Sequence, residues 1–150
     1  ERKTKYGEIN TPFFFINQIL SIIPQNNFEN PNLKWLDPGA GSGYFTIILF
    51  NKLLKSLENA CQSSNERKKH IRENMLYMVE IQEENINTLR DIFGQNANIF
   101  HTDFLTWSPH NLSLFDIIIG NPPYNYEGRK KDGRHTVALG KMGTIVIGNI

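Results

Sequence analysis

The chain has 150 residues, of which 39% are hydrophobic and 21% are charged. This length and composition are typical of one globular domain with a buried core. The formal net charge of +1 neither requires nor excludes a nucleic-acid partner. The single cysteine, Cys61, excludes an intramolecular disulfide and a zinc site made of cysteines, and we predict no metal ligands.

The first predicted helix begins with Thr11 as its N-cap and Pro12 as its first helical residue, and it runs to about Ile23. Basic residues precede it, as in a signal peptide, but polar residues interrupt its apolar stretch. No segment approaches the roughly 20 apolar residues of a membrane span. We therefore expect a cytoplasmic protein, nucleoid-associated if it is bacterial, with no membrane partner.

The remaining elements follow from apolar periodicity and turn residues. In chain order they are a polar connection (24–31), a strand (33–36), a helix (44–60), a polar and mainly basic insert (62–74), a strand (75–81), a helix (82–93) closed by Gly94, and strands at 97–101 and 115–119, with a candidate strand at 144–147. Alternation of apolar strands with helices predicts an α/β fold, with a mostly parallel sheet covered by helices on both faces. Ligands bind at the carboxyl ends of such strands.

A glycine-rich loop follows the first strand, with the sequence Asp37-Pro38-Gly39-Ala40-Gly41-Ser42-Gly43. Glycines let the backbone turn sharply and approach a ligand closely. The third glycine comes one residue earlier than in the dinucleotide fingerprint, and no P-loop lysine follows. Because Asp37 would repel a pyrophosphate, the loop favours a ligand with a positively charged group over a plain strand-to-helix turn.

Acidic residues end the next two strands. Glu80 is positioned to accept hydrogen bonds from ribose hydroxyls, although a charge at a helix N-terminus is the alternative. Asp103 and Phe104 combine an acceptor for an amino group with a ring that can cover a base. The alternative for Asp103 is an N-cap for a short helix at 104–107.

The fourth strand runs into Asn121-Pro122-Pro123-Tyr124. The prolines lack N–H donors and stiffen the loop, which leaves the Asn121 side-chain oxygen and backbone carbonyls as acceptors. A planar amine can donate one N–H to each of two acceptors, while Tyr124 stacks on its ring, an interaction worth about 1–3 kcal/mol per base. A turn with a packing tyrosine explains the prolines but not the acids at the neighbouring strand ends.

The glycine loop, continued by Tyr44 and Phe45, and the Asn121–Tyr124 loop resemble those of the amino-group DNA methyltransferases that use S-adenosylmethionine. The stretch Gly7-Glu8-Ile9-Asn10-Thr11-Pro12 resembles their N-terminal cofactor motif. Only 18 residues (121 − 103) separate Asp103 from Asn121, too few for a target-recognition domain. This motif order resembles the gamma-type N6-adenine enzymes and implies a Rossmann-like class I methyltransferase fold. By this resemblance 1–150 is a partial catalytic domain without its target-recognition domain, which a separate domain or subunit would supply.

The resemblance also implies a role for each matching residue. The cofactor site would comprise Thr11, Pro12, Asp37, Gly39, Gly41, Phe45, Glu80, Ile81, Asp103, Phe104 and Asn121. Asn121 and the Pro122 carbonyl would hold the target amino group, with Pro123 stiffening the loop and Tyr124 stacked on an adenine flipped out of DNA. The basic residues Arg129, Lys130, Lys131 and Arg134 are weaker candidates for contacts with DNA phosphates.

The predicted activity is therefore methylation of adenine N6 in DNA. Two other substrates stay open, namely a glutamine side chain of a protein and a base of ribosomal RNA. A non-catalytic methyltransferase-like subunit is the alternative from a different class.

Overall fold

A computed structural model describes residues 11–104, 106–107 and 115–121, together with the backbone of 145–148. Its helices are α1 (Phe13–Ile22), α2 (Gln25–Glu29), α3 (Tyr44–Ser56), α4 (Ser64–His70), a π-helix (Ile71–Met75) and α5 (Glu83–Phe93). Its strands are β1 (Trp35–Asp37), β2 (Leu76–Glu80), β3 (Asn98–His101), β4 (Ile117–Gly120) and β5 (Ile145–Gly148). None of the helices found in these ranges has the length and apolar character needed to cross a membrane.

The strands form one sheet in the order β3-β2-β1-β4-β5. Strands β3, β2, β1 and β4 run parallel to one another, and β5 pairs with β4 in the antiparallel direction. Trp35 is in register with Leu76 on one side and with Ile117 on the other. The predicted Rossmann-like, mostly parallel sheet is confirmed. The chain moves to opposite sides of β1 after β1 and after β3, so the crevice expected at such a reversal lies between β1 and β4.

The main hydrophobic core lies between one face of the sheet and the helices. Alternate strand residues point into it, among them Trp35, Met78 and Ile117, because side chains alternate between the two faces of a strand. On the opposite face, Leu36 and Val79 belong to a second cluster. Phe104 and Trp107, which follow β3, and Phe115, which precedes β4, belong to or pack against that cluster.

The connection at 24–31 is helical in part, contrary to the prediction. Pro24 precedes α2, and Phe28 of α2 is fully buried and stacks on Trp35, with ring centroids 5.0 Å apart. A single aromatic residue thus anchors a polar segment that has no apolar periodicity. The insert at 62–74 is helical as well. Ser63 caps α4, and Ile71 and Met75, one helical turn apart, enter the core.

Two predicted helix ends are also corrected. Helix α1 takes Pro12 rather than Thr11 as its N-cap, and its first residue is Phe13. The Phe15 and Ile16 amides donate to the Pro12 carbonyl, which places Thr11 outside the helix. Helix α3 begins at Tyr44, as predicted, but ends at Ser56.

Candidate active site

Four predicted site segments meet at one edge of the sheet. The glycine loop follows β1, Glu80 ends β2, Asp103 follows β3 and Asn121 follows β4. Because these four strands are parallel and adjacent, their carboxyl ends lie side by side. This edge is where ligands bind in open α/β sheets.

The glycine loop is held against β2 by its own backbone. The Ala40 amide donates to the Val79 carbonyl at 3.0 Å. Gly41 and Gly43 have φ angles of 54° and 88°, a region that favours glycine. A Cβ on Gly43 would lie 2.8 Å from Leu89 Cδ2 of α5, so this glycine also permits close helix packing. The loop conformation therefore depends on glycine at both positions.

Asp37 holds the loop from inside. Its carboxylate is buried, with Oδ2 accepting from the Thr46 hydroxyl at 2.8 Å and Oδ1 from the Gly39 amide at 3.3 Å. Burial raises the pKa of the Asp37 carboxyl to about 6, and the negative charge of Glu80 adds to the rise, while the two hydrogen bonds oppose it. A cationic ligand beside this carboxylate would favour its ionised form.

Gly120 and Thr46 belong to the site although neither was predicted to. A Cβ built on Gly120 would overlap Oδ1 of Asp37, so β4 reaches β1 at this point only because residue 120 has no side chain. The sequence signal for this role of Gly120 is a glycine at the last position of a strand, just before Asn121. Thr46 lies in the first turn of α3, where nothing in the sequence distinguishes it from a core residue.

Glu80 ties three backbone amides together. Its Oε2 accepts from Gly41 N at 2.8 Å, while Oε1 accepts from Ile81 N at 2.8 Å and from Gln82 N at 2.7 Å. A carboxylate has about four acceptor sites, so these bonds leave one, on Oε2. The bonds to 81 and 82 also place its charge at the start of α5, which was the predicted alternative. Glu80 therefore organises the backbone of the site and keeps one acceptor position that a ligand hydroxyl could use.

An apolar side chain is exposed at the end of β2. Ile81 is 47% exposed directly after Glu80, and the His101 ring contacts the Ile81 carbonyl at 3.0 Å. The Asp103 carbonyl accepts from the Thr106 and Trp107 amides, so a turn rather than a helix follows it.

Thr11 and Asn121 are brought into contact although 110 residues separate them. Asn121 Nδ2 donates to Thr11 Oγ1 at 2.7 Å, and Thr11 is buried. Thr11, just before the N-cap of α1, thus lies against the residue that follows β4.

The chain matches the family model of the N-6 DNA methylases over residues 1–142. The chain belongs to the N-6 DNA methylase family.

The chain is similar to curated proteins named tRNA1(Val) (adenine(37)-N6)-methyltransferase. Those from Escherichia fergusonii and Escherichia coli O1:K1 / APEC are 25% and 27% identical to it over 117 and 119 residues. Each alignment covers 71% of this chain and 41% of the relative. The relative from Enterobacter sp. (strain 638) is 23% identical over 116 residues, which cover 70% of this chain and 40% of the relative. The chain thus spans about two fifths of the length of these relatives.

N6-adenine methyltransferases of this family use S-adenosylmethionine. The residues at the sheet edge fit that molecule: Glu80 keeps an acceptor site for a ribose hydroxyl, and exposed Ile81 is suited to its adenine ring, while Asp37 is buried and holds the glycine loop from inside. Pro12 is the N-cap of α1, and Gly39 lies in the glycine loop.

Two predicted cofactor contacts point elsewhere in this structure. Phe45 is buried in the main core, in the first turn of α3. Phe104 packs against the second cluster, with its ring centroid 6.2 Å from that of Trp107. The predicted residues Pro122, Pro123, Tyr124, Arg129, Lys130, Lys131 and Arg134 lie outside the described residues.

Proposed function

We propose that this chain is the catalytic portion of an enzyme that methylates adenine N6 in DNA. The observation that carries the proposal is the contact between Thr11 and Asn121. It places Thr11, from the motif that precedes the glycine loop, beside the residue predicted to hold the target amine. The family match over residues 1–142 supports the same class of reaction.

In this proposal the target amine donates its two N–H groups to the Asn121 side-chain oxygen and to the Pro122 carbonyl. Two such bonds draw the nitrogen lone pair out of conjugation with the ring and make the amine a better nucleophile. Tyr124 would stack on the adenine once it leaves the duplex. No base with a shifted pKa is needed before the attack.

S-adenosylmethionine would supply an electrophilic methyl group at this site. Glu80 would accept one ribose hydroxyl with Oε2, while its bonds to the backbone keep the carboxylate fixed. Asp37 would act on the methionine end mainly by holding the glycine loop, because its side chain is only 2% exposed. Ile81 would pack against the adenine of the cofactor.

Transfer RNA is the second candidate substrate. The names of the curated relatives favour it, since each denotes an enzyme that methylates adenine N6 in a transfer RNA. The acceptor chemistry at Asn121 is the same for adenine in either nucleic acid. DNA and transfer RNA would be distinguished by groups that bind the nucleotides on either side of the target adenine. The basic residues 129–131 are candidates for such contacts.

The test is a methylation assay of the complete gene product with S-adenosylmethionine and three substrates: unmethylated DNA, unmodified transfer RNA and a protein with accessible glutamines. Mass spectrometry of the digested products identifies the modified nucleoside or residue, and Asn121→Ala is the matched control, in which we expect a much lower but measurable rate. We expect N6-methyladenine in DNA.

Product in transfer RNA alone would replace the proposal by the second candidate. No product in any of the three, from a protein that binds S-adenosylmethionine, would contradict both. A folded protein that neither binds the cofactor nor forms product would indicate the non-catalytic alternative.

A further inference from the structure

The Thr11 hydroxyl does not cap the helix that follows it. Threonine in that position commonly caps the helix by accepting a hydrogen bond from its first-turn amides. Here Pro12 is the N-cap and no side chain caps α1. The hydroxyl instead accepts from Asn121 Nδ2 at 2.7 Å. The tertiary structure therefore directs the Thr11 hydroxyl to Asn121 and not to α1.

The Asn121 amide has two chemically different ends. Oδ1 accepts hydrogen bonds and Nδ2 donates them, and the two atoms diverge from the same carbon. A target amine that donates N–H groups needs the acceptor Oδ1. If Nδ2 faced the amine instead, two donors would meet and no hydrogen bond could form. Because Nδ2 is directed to Thr11, Oδ1 is directed away from the Thr11 hydroxyl.

We infer that Thr11 is a positioning residue for the methyl-transfer reaction, whose hydroxyl holds the Asn121 amide so that Oδ1 is presented to the target amine. This inference rests on the proposed function for the identity of the amine. It differs from the role that the family resemblance implies, in which Thr11 contacts the methionine end of the cofactor.

The two roles predict different kinetics. A cofactor contact would change the affinity for S-adenosylmethionine. A positioning residue changes the rate of the chemical step at saturating cofactor, because small misplacements of a group that orients the reacting atom are costly in rate. Affinity then stays the same.

The experiment uses the complete gene product with Thr11→Val, which keeps the shape and removes the acceptor, and with Thr11→Ser, which keeps the hydroxyl. Thr88→Val is the matched control, since Thr88 is exposed on α5 and its hydroxyl bonds to Glu84 O. Single-turnover methyl transfer is measured on the nucleic acid in which the wild type forms N6-methyladenine. We expect Thr11→Val to lower the rate on the order of 10- to 100-fold, with the cofactor dissociation constant changed less than about twofold, and Thr11→Ser to restore most of the rate.

A double-variant cycle tests whether Thr11 acts through Asn121. In the Asn121→Ala background, Thr11→Val should have almost no further effect on the rate. Multiplicative losses would overturn the inference, and so would a weakened cofactor affinity with an unchanged rate. If Thr11→Val does not fold, Thr11→Ala is compared with Thr11→Ser in the same way.

A readout independent of activity separates this inference from the proposed function. The side-chain amide resonances of Asn121, assigned by their loss in Asn121→Ala, should show a hydrogen-bonded, exchange-protected proton in the wild type and in Thr11→Ser. That protection should vanish in Thr11→Val. If the wild type forms no product but shows the protected proton, the proposed function fails while the contact stands. Absence of protection in the wild type overturns the inference itself.

Discussion

The backbone N–H of Gly41 donates a hydrogen bond of 2.8 Å to Oε2 of Glu80. This bond connects the glycine loop after β1 to the end of β2, two segments 39 residues apart in the chain. Because the same carboxylate also accepts from Ile81 and Gln82, one buried side chain sets the relative position of two parts of the predicted cofactor site. Loop shape and hydroxyl binding therefore depend on the same group.

Glu80→Gln should weaken both the fold and cofactor binding. A glutamine has one acceptor oxygen and places an NH₂ group against at least one of the three amides. Leaving a buried N–H unpaired costs about 1–3 kcal/mol, so we expect a loss of that size in the free energy of unfolding. We also expect at least a tenfold rise in the dissociation constant for S-adenosylmethionine, about 1.4 kcal/mol.

The matched control is Glu83→Gln, which changes an exposed glutamate in the first turn of α5, the helix that follows Glu80. Denaturant unfolding and calorimetric titration measure the two effects. Equal behaviour of the two variants would show that the bonds of Glu80 do not organise the site.

Asp37→Asn should stabilise the cofactor-free protein at neutral pH and not in acid. The Asp37 pKa is about 6 in the folded protein and 3.8 otherwise. The folded state therefore holds the proton more tightly, and its stability falls as pH rises from about 4 to about 6. Above that range the cost is constant, about 3 kcal/mol at 1.36 kcal/mol per unit. An asparagine does not ionise, so the variant does not have this cost in its free energy of unfolding.

Thermal unfolding of both proteins at pH 4 and pH 7.5 measures this difference. We expect the variant to gain stability over the wild type only at the higher pH, and to bind S-adenosylmethionine more weakly. A gain of the same size at both pH values would mean that ionisation of Asp37 is not its cause.

Thr46→Val should raise the Asp37 pKa further. The Thr46 hydroxyl donates to Oδ2 and lowers the pKa of that carboxyl, so its loss favours the protonated form. The titration midpoint of the Asp37 carboxyl, followed by carbon NMR, should move above its wild-type value. Thr46→Ser keeps the hydroxyl and should leave the midpoint nearly unchanged. A midpoint that falls in Thr46→Val would contradict the assigned bond.

Gly120→Ala should disrupt the site by overlap rather than by backbone strain. The added Cβ would collide with Oδ1 of Asp37 and lie 3.1 Å from Pro38 Cδ. We expect a loss of about 1–3 kcal/mol in the free energy of unfolding and weaker cofactor binding.

Gly94→Ala is the informative comparison. Gly94 has a φ of 91° but nothing within 4 Å of a built Cβ, so its cost should be one of conformation alone, about 1–2 kcal/mol. Cofactor affinity should change only in Gly120→Ala. If both variants bind S-adenosylmethionine as the wild type does, Gly120 is not needed to bring β4 against Asp37.

Local sequence was sufficient for the parallel sheet and for the placement of site residues at its edge. Apolar strands, each followed by an acid, an amide or glycines, predict a common edge because the carboxyl ends of parallel strands lie together. The strands at 75–81 and 97–101 and the helix ending at Gly94 were found within one or two residues. The polar helices α2 and α4 were missed because each has a single buried residue, which is too few for a periodic pattern.

The sequence by itself determined which chemical groups reach the site: strand-end acids, a glycine loop and an amide before two prolines. Those choices are local, since they follow from residue type and from period-two or helical spacing. Only the tertiary structure decided how the groups are used. Thr11 bonds to Asn121 instead of capping α1, Asp37 faces inward to Thr46, and Glu80 spends three of its acceptor sites on backbone amides. Each of these outcomes depends on at least one partner that only the assembled sheet and helices bring within hydrogen-bonding distance.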